Sequence, residues 1–344
     1  MPTLAITEDR EYFYRDSGAP NESSYKTLII VHGHTFHSGI FERLFPLAKS
    51  RALRLICVNR RAYPDTTPYT PEELSIMNNG SEDERVELFQ KLGVELALFV
   101  ASVIDKCQLP KDGEIGFVSW SLGNIFGLCF LSAIDRVPED IRNTIQKHVK
   151  TIILWDPPSA ALGTLAPEVA WEPPVFDESI PLEQRNAAFV VWVSGYWNHQ
   201  NLASHDFAQI NCRDHVSDSG LKPTIVSLAE SQALVSVADP TAGDKGENIL
   251  VWDFYRKIIH KIARKAFLDP KIREMWSNAK FWNILCTMSP WNIVHGTWVL
   301  QDLMKERGDV ENPMKFKQIE NANHFAMWDD PEKAIAALDE CIKG

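Results

Sequence analysis

The sequence predicts an α/β fold: a mostly parallel, doubly wound sheet with a helical cap inserted late in the chain. Three observations predict it. Short continuous apolar runs alternate with helix-like segments, which implies strands buried on both faces beneath helices. Histidine, serine and aspartate follow the carboxyl ends of those runs, where sheets of this kind bind ligands. Between two of the later runs lies a long stretch without strand pattern, dense in large aromatics.

Thr27–His32 is the first continuous apolar run and ends in His32-Gly33. Ser38–Ser50 reads as a helix and Leu53–Asn59 as the next strand. Ser81–Cys107 is a long amphipathic helix that opens with Ser81 and Glu84 at capping-box spacing. Ile115–Ser119 reads as a strand, Leu122–Arg136 as a helix, and Thr151–Trp155 as a strand ending at Asp156. The pattern then breaks. From Pro157 to Lys280 the chain is first proline-rich, then helix-like over Leu182–Trp197 and Asn248–Phe267. It carries Trp171, Phe176, Phe189, Trp192, Tyr196, Trp197, Trp252, Phe254 and Tyr255. Strand pattern resumes at Phe281–Met288 and Lys315–Ile319. A last helix starts near Pro331, behind Asp329 and Asp330 at capping positions. The expected organisation is a core of residues 1–156 and 281–344, with 157–280 as a mainly helical, aromatic-rich lid.

Composition narrows the function. The chain has 344 residues, 45% of them hydrophobic and 24% charged, enough for a sizeable core in a soluble enzyme. A formal net charge of −11 argues against nucleic acid and anionic membrane surfaces, which need basic patches. No apolar run reaches the roughly 18 residues of a membrane span. Met1–Arg15 is polar and lacks a secretory apolar segment. The six cysteines are scattered without a framework, as expected of reduced thiols in a cytoplasmic protein. The expected partner is a small molecule.

Chemistry concentrates at Val118-Ser119-Trp120-Ser121-Leu122-Gly123. A serine on a sharp strand-to-helix turn presents its hydroxyl at the sheet edge, and the residues two positions away must be small to avoid collision. Here they are Ser119 and Gly123, so the usual G-x-S-x-G carries a serine at its first small position. His324 lies in a polar, Asn-rich loop before the last helix and suits a catalytic base, whereas His32, in a His-Gly turn, suits a structural role. His199, His205, Asp206, Cys212, Asp214 and His215 hold one pair at zinc-like spacing, Cys212 and His215, but no second tight pair, so no metal is expected. No cofactor is expected either.

Taken in order, these segments resemble the α/β-hydrolase fold superfamily over nearly the whole chain. Ile6–Gly18 is similar to its N-terminal hairpin, and Val31-His32-Gly33-His34 to its oxyanion-hole segment. Asn59-Arg60-Arg61-Ala62-Tyr63 is similar to its D-x-R-G-Y region, with Asn and Ala substituted. Ser119–Gly123 matches the nucleophile elbow, and Asn321-Ala322-Asn323-His324-Phe325 the late histidine loop.

The resemblance implies Ser121 as nucleophile, His324 as general base, and backbone N–H groups of Leu122 and His34 as oxyanion donors, with Thr35 as the fallback. Family members usually carry the acid after the strand that follows the lid, where this chain has Ser289. Another arrangement in the superfamily places it after the strand before the lid, at Asp156, which keeps the order Ser…Asp…His. Asp156 as a simple Asp-Pro turn residue, Asp302, and a lid acid remain alternatives. Trp120, Trp192 and Tyr196 are expected to contact substrate, favouring a bulky apolar or aromatic group. The expected activity is cleavage of a carboxylic ester, lactone or thioester through an acyl-enzyme, in a specialised or secondary-metabolic setting. Ser289 at the usual acid position motivates the alternative of a ligand-binding or non-hydrolytic member.

Overall fold

The computed structural model describes residues 2–110, 113–165, 167, 170–171, 173–213, 215–216, 220–231, 250, 253–308 and 313–344. Among them lie eight strands: β1 (Thr3–Ala5), β2 (Glu11–Asp16), β3 (Lys26–Val31), β4 (Leu53–Val58), β5 (Ile115–Trp120), β6 (Val149–Trp155), β7 (Lys280–Cys286) and β8 (Lys315–Ile319). They form one sheet in the order β1-β2-β4-β3-β5-β6-β7-β8. β1 and β2 pair antiparallel, as does β2 with β4, and every pair from β4 to β8 is parallel. The mostly parallel sheet is present, and so is an N-terminal hairpin, although its first strand, Thr3–Ala5, precedes the expected Ile6–Gly18.

The described residues also form twelve α-helices: α1 (Phe45–Lys49), α2 (Pro71–Asn79), α3 (Glu82–Lys106), α4 (Gly123–Ser132), α5 (Glu139–His148), α6 (Leu182–Val193), α7 (Thr224–Glu230), α8 (Asp253–Leu268), α9 (Pro270–Met275), α10 (Trp291–Arg307), α11 (Ala326–Asp329) and α12 (Pro331–Lys343). Because side chains alternate along a strand, the central strands feed two separate cores. Ile29, Val31, Phe117, Ile152 and Leu154 pack on one face beneath α3, α4 and α8. Leu28, Ile30, Val118, Ile153 and Trp155 pack on the other with α1, α10 and α12.

Several expected boundaries shift for local reasons. Ser38–Ser50 is a 3-10 helix (Ser38–Leu44) followed by α1, since Pro46 lacks the N–H a continuous helix would need. The helix expected over Leu122–Arg136 stops at Ser132 and finishes as a 3-10 turn, Ile134–Arg136, just before Val137-Pro138. The capping box at Ser81 and Glu84 forms as expected. Asp330 precedes α12 without a side-chain cap, and the Asp329 carboxylate is used elsewhere.

The segment 157–280 is of two kinds. The described residues of its first part, up to 231, meet the chain just past the strand ends, as where Trp197 N–H donates to Met288 O (2.9 Å). In its second part, Ile258, Ile259, Ile262 and Phe267 of α8 share a buried cluster with Phe89 and Phe126, so α8 and α9 belong with the sheet-covering helices. Residues 248–249 and 251–252 of the expected helix Asn248–Phe267, Trp252 included, fall outside the described residues. Among those described, no helix is long and apolar enough to cross a membrane.

Candidate active site

Parallel pairing sets the strand ends side by side: Val31 opposite Ser119, Trp120 opposite Trp155, and Trp155 opposite Ile284. The residues just past those ends are therefore neighbours. Ser121 sits at φ 56°, a left-handed conformation that costs a non-glycine residue on the order of 1–3 kcal/mol. It is held there from both sides. Its N–H donates to Trp155 O (2.9 Å), and its carbonyl accepts from Asn124 N (3.0 Å) and Asn124 Nδ2 (2.8 Å). A Cβ on Gly123 would lie 2.3 Å from His32 O, and one on Gly33 would lie 2.7 Å from Ser121 Cβ. Only glycine fits at either position.

The serine at 119 also has a structural account. Its hydroxyl donates to Asn124 Oδ1 (2.8 Å), the same asparagine that grips the turn. A Cβ on Gly127, one turn into α4, would come within 2.5 Å of that hydroxyl. The extra atoms at 119 thus fill space left by a glycine in the following helix.

Ser121 Oγ stands 2.8 Å from His324 Nε2, and His324 Nδ1 stands 2.9 Å from Asp156 Oδ2. With the carboxylate as acceptor, Nδ1 carries the proton and Nε2 is left to accept from the serine hydroxyl. Asp156, at φ 47° and fully buried, receives two further donors: the Ser289 hydroxyl on Oδ2 (2.7 Å) and Cys286 N–H on Oδ1 (2.8 Å). Ser289 thus reaches the imidazole only through Asp156. The alternative acid Asp302 is exposed and pairs with Lys305 (2.7 Å). Trp120 stacks on the His324 ring with centroids 4.8 Å apart, and its indole N–H donates to His324 O (3.1 Å).

Leu122 N–H, at the start of α4, has no acceptor among the described residues. His34 lines the pocket beside Ser121 and Leu122. Thr35, the fallback donor, is excluded because its N–H donates to Tyr63 Oη (3.0 Å). His32 has the structural role expected of it. Nδ1 lies 2.8 Å from Gly33 O and Nε2 accepts Arg60 N–H (3.1 Å), while burial and the Arg60 charge push its pKa well below the usual histidine value. Buried Arg60 also donates to the carbonyls of His32 (3.0 Å) and Gly33 (2.8 Å), fixing the loop from beneath.

Above Ser121 opens a pocket that His34, Leu122 and Ser159 also line. Its walls are largely apolar: Pro158, Phe176, Phe189, Val193, Trp291 and Ile293. The three expected substrate contacts are not among its lining residues. Trp120 belongs to the core beneath His324. Trp192 is buried among Trp171, Phe189 and Trp197. Tyr196 donates its hydroxyl to Asp329 (2.9 Å). Phe189 and Val193, four residues apart on α6, face the pocket instead. Helical periodicity marks them as one face, but the sequence does not say which face looks inward.

Among the described residues, no group of three His, Cys, Asp or Glu side chains could hold a metal ion. His199 bonds Ser289 O (2.8 Å), and His205 bonds Gln301 (2.7 Å). Asp214 lies outside the described residues.

Among curated proteins, none matches the sequence significantly. Solved structures with the same fold include an esterase from Exiguobacterium antarcticum (13% identity, TM-score 0.56, covering 100% of both chains). Epoxide hydrolase A from Mycobacterium thermoresistibile matches at 13% identity and TM-score 0.55, over 100% of this chain and 98% of that one. A bromoperoxidase from Bacillus anthracis matches at 14% and 0.53, over 100% and 99%. The model of the alpha/beta hydrolase family matches residues 28–338, from β3 into α12. Elbow, histidine loop and sheet order agree with that match, and the chain belongs to the alpha/beta hydrolase family.

Proposed function

We propose that the protein is a serine hydrolase that cleaves a carboxylic ester, lactone or thioester of a bulky, largely apolar small molecule. One observation carries the proposal: a continuous hydrogen-bonded line from Ser121 Oγ through His324 to Asp156 at 2.8 and 2.9 Å, at the floor of an apolar pocket. In this reading Ser121 Oγ attacks the carbonyl carbon while its proton passes to His324 Nε2. The oxyanion is held by the N–H groups of Leu122 and His34, each worth roughly 3–4 kcal/mol in the transition state. Collapse expels the alcohol or thiol, which takes the proton from Nε2. Water then attacks the acyl-enzyme, gives a proton to Nε2, and Ser121 leaves with that proton as the acid is released.

Asp156 orients the imidazole and stabilises its charged form, a role the neutral Ser289 hydroxyl could not perform. The Asp156–His324 contact supports this reading over a non-hydrolytic member, since it offers an acid where position 289 has only a serine. The six unpaired cysteines support a reducing, cytoplasmic setting. The apolar walls support a specialised substrate, since Phe176 and Phe189 fit a large acyl or alkyl group.

A fluorophosphonate probe and a series of p-nitrophenyl esters of graded acyl length test this directly. The expected result is an adduct on Ser121, lost in Ser121→Ala, with medium or aromatic acyl groups hydrolysed faster than acetyl. A wild-type protein without that adduct overturns the proposal.

A further inference from the structure

The loop that carries His324 is tied to the segment above the pocket by buried polar side chains that the reaction itself does not use. Asn323 is fully buried. Its Oδ1 accepts Phe325 N–H (3.0 Å), and its amide donates to Ser194 O (3.0 Å) and Thr224 Oγ1 (2.8 Å). The buried Thr224 hydroxyl donates to Asp329 Oδ2 (2.5 Å), which also accepts the Tyr196 hydroxyl (2.9 Å). The Ser227 hydroxyl lies 3.3 Å from Asp329 Oδ1. Arg43 closes the cluster beneath, donating to Trp328 O (2.8 Å) with its guanidinium 3.9 Å from the Trp328 ring centroid.

The partners come from two places. Ser194, Tyr196, Thr224 and Ser227 belong to the segment above the pocket, and Ser194 directly follows the pocket-wall residue Val193. Asn323 and Asp329 bracket His324 on either side in sequence. Thr224 N–H also donates to Ser194 O (2.8 Å), so the pocket wall is gripped twice at one carbonyl. A largely buried network of this kind is rigid when its members are paired, and removing its half-buried acceptor Asp329 leaves several donors unsatisfied together.

We infer that Asp329 is a positioning residue: through Thr224 and Asn323 it fixes the His324 loop against the pocket wall at Val193, so that base and wall hold one geometry. The inference rests on the reading of Ser121 and His324 as nucleophile and base. Its consequence is specific. Breaking the clamp misaligns the imidazole, so the chemical step suffers more than substrate binding.

The test compares wild type with Asp329→Ala, Asp329→Asn and Thr224→Val as full-length proteins, with folding checked by near-UV circular dichroism. The readouts are the second-order rate of fluorophosphonate labelling at Ser121, and kcat and KM on the best p-nitrophenyl ester. Asp329→Ala should lower labelling and kcat by about 10- to 100-fold while KM stays within about threefold, as displacement of a catalytic group by about 1 Å would do. Asp329→Asn keeps a side-chain oxygen acceptor and should recover part of the loss. Thr224→Val should move in the same direction by a smaller factor. A folded Asp329→Ala with kcat and labelling within about twofold of wild type overturns the inference, and so does a change confined to KM. An Asp329→Asn variant no better than a folded Asp329→Ala also overturns it. Where Asp329→Ala does not fold, a folded Thr224→Val decides by the same criteria. A wild type without a Ser121 adduct fails the hydrolase reading instead. The clamp is then judged by the His324 ring resonance, assigned by its loss in His324→Gln, which must shift in Thr224→Val for the inference to stand.

Discussion

The floor and the roof of this pocket are held by different forces. On the floor, main-chain hydrogen bonds set the frame, with Asn124 and Arg60 bracing it: Ser121 N–H to Trp155 O and Asp156 N–H to Ile284 O (2.8 Å), with glycines at 33 and 123 where no Cβ fits. The roof is held by side chains, through the Asp329 cluster and the contacts of Trp192 with Phe189 and Trp197. A main-chain frame places reacting atoms to fractions of an ångström, because each atom is fixed by the sheet's own register. A side-chain frame can be re-cut by substitution without loss of the sheet. The comparison assigns the reacting atoms to the floor and selectivity to the pocket-facing side chains of the roof, with the Asp329 cluster tying the His324 loop to that roof.

The largest effect should come from the floor. Asp156→Asn keeps the shape of the acid but removes its charge, and kcat should fall by up to about 10⁴-fold, the cost typical of such a change in a Ser-His-Asp site. Ser289 supplies the sharper experiment. Its hydroxyl meets the same Asp156 oxygen as His324 Nδ1, so a carboxylate grown from position 289 starts close to the imidazole. Asp156→Asn combined with Ser289→Asp should recover at least about tenfold in kcat over Asp156→Asn alone. Steady-state kinetics on the three proteins checks both. A double variant as inactive as the single one would tie the acid's function to the β6 backbone alone.

A second effect separates the regions by acid. Burial and the Arg60 charge depress His32 on the floor well below the ordinary histidine value of 6.5. His199, which bonds the chain near Ser289, is also lowered by burial. Burial, with the nearby Arg256 charge, brings His295 down to about 4. A histidine with a depressed folded-state pKa takes up its proton more readily when unfolded. The stability is therefore whole above pH 6.5 and is lost as pH falls from 6.5 toward each folded value. Each group contributes a loss of at most about 1.4 kcal/mol per pH unit in that window. Melting temperatures at pH 7.5, 6 and 5 should fall in that order, and His295→Gln should flatten part of the fall. A melting temperature unchanged between pH 7.5 and 5 would contradict the assignment.

What the sequence disclosed follows the same division. The strands, the elbow, the capping box at Ser81 and the histidine loop were legible because each is a local pattern with a local cause. Chain order favoured Asp156 over Ser289 as the acid, but that both His324 and the Ser289 hydroxyl meet one oxygen of Asp156 is a tertiary fact. The helix α10 was missed although Pro290 precedes it and Gly308, at φ 64°, ends it. Trp120 shares the face of β5 that carries Val118, but with both faces of the sheet covered, alternation does not say what that face meets. The roof was least legible. Trp192 and Tyr196 are as aromatic as Phe189, and only packing decides which of them meets the pocket.

The smallest expected effect tests that last point. Phe189 lies on the pocket wall, is only partly buried, and touches the His34 ring edge-on at 5.9 Å between centroids. Phe189→Ala enlarges the pocket without touching the sheet ladder or the Asp329 cluster. Fluorophosphonate labelling at Ser121 should stay within about threefold of wild type, because neither the Ser121 turn nor the cluster that holds the His324 loop is disturbed. The preferred p-nitrophenyl acyl chain should lengthen, with kcat/KM ratios between neighbouring chain lengths moving by about 10-fold, the scale of one or two methylenes in an apolar site. Trp192→Phe, one turn away but facing the packing side, should leave that preference where it was. If Trp192→Phe moves the preference and Phe189→Ala does not, the inward face of α6 has been assigned to the wrong residues. The division of labour between floor and roof would then have to be redrawn around Trp192.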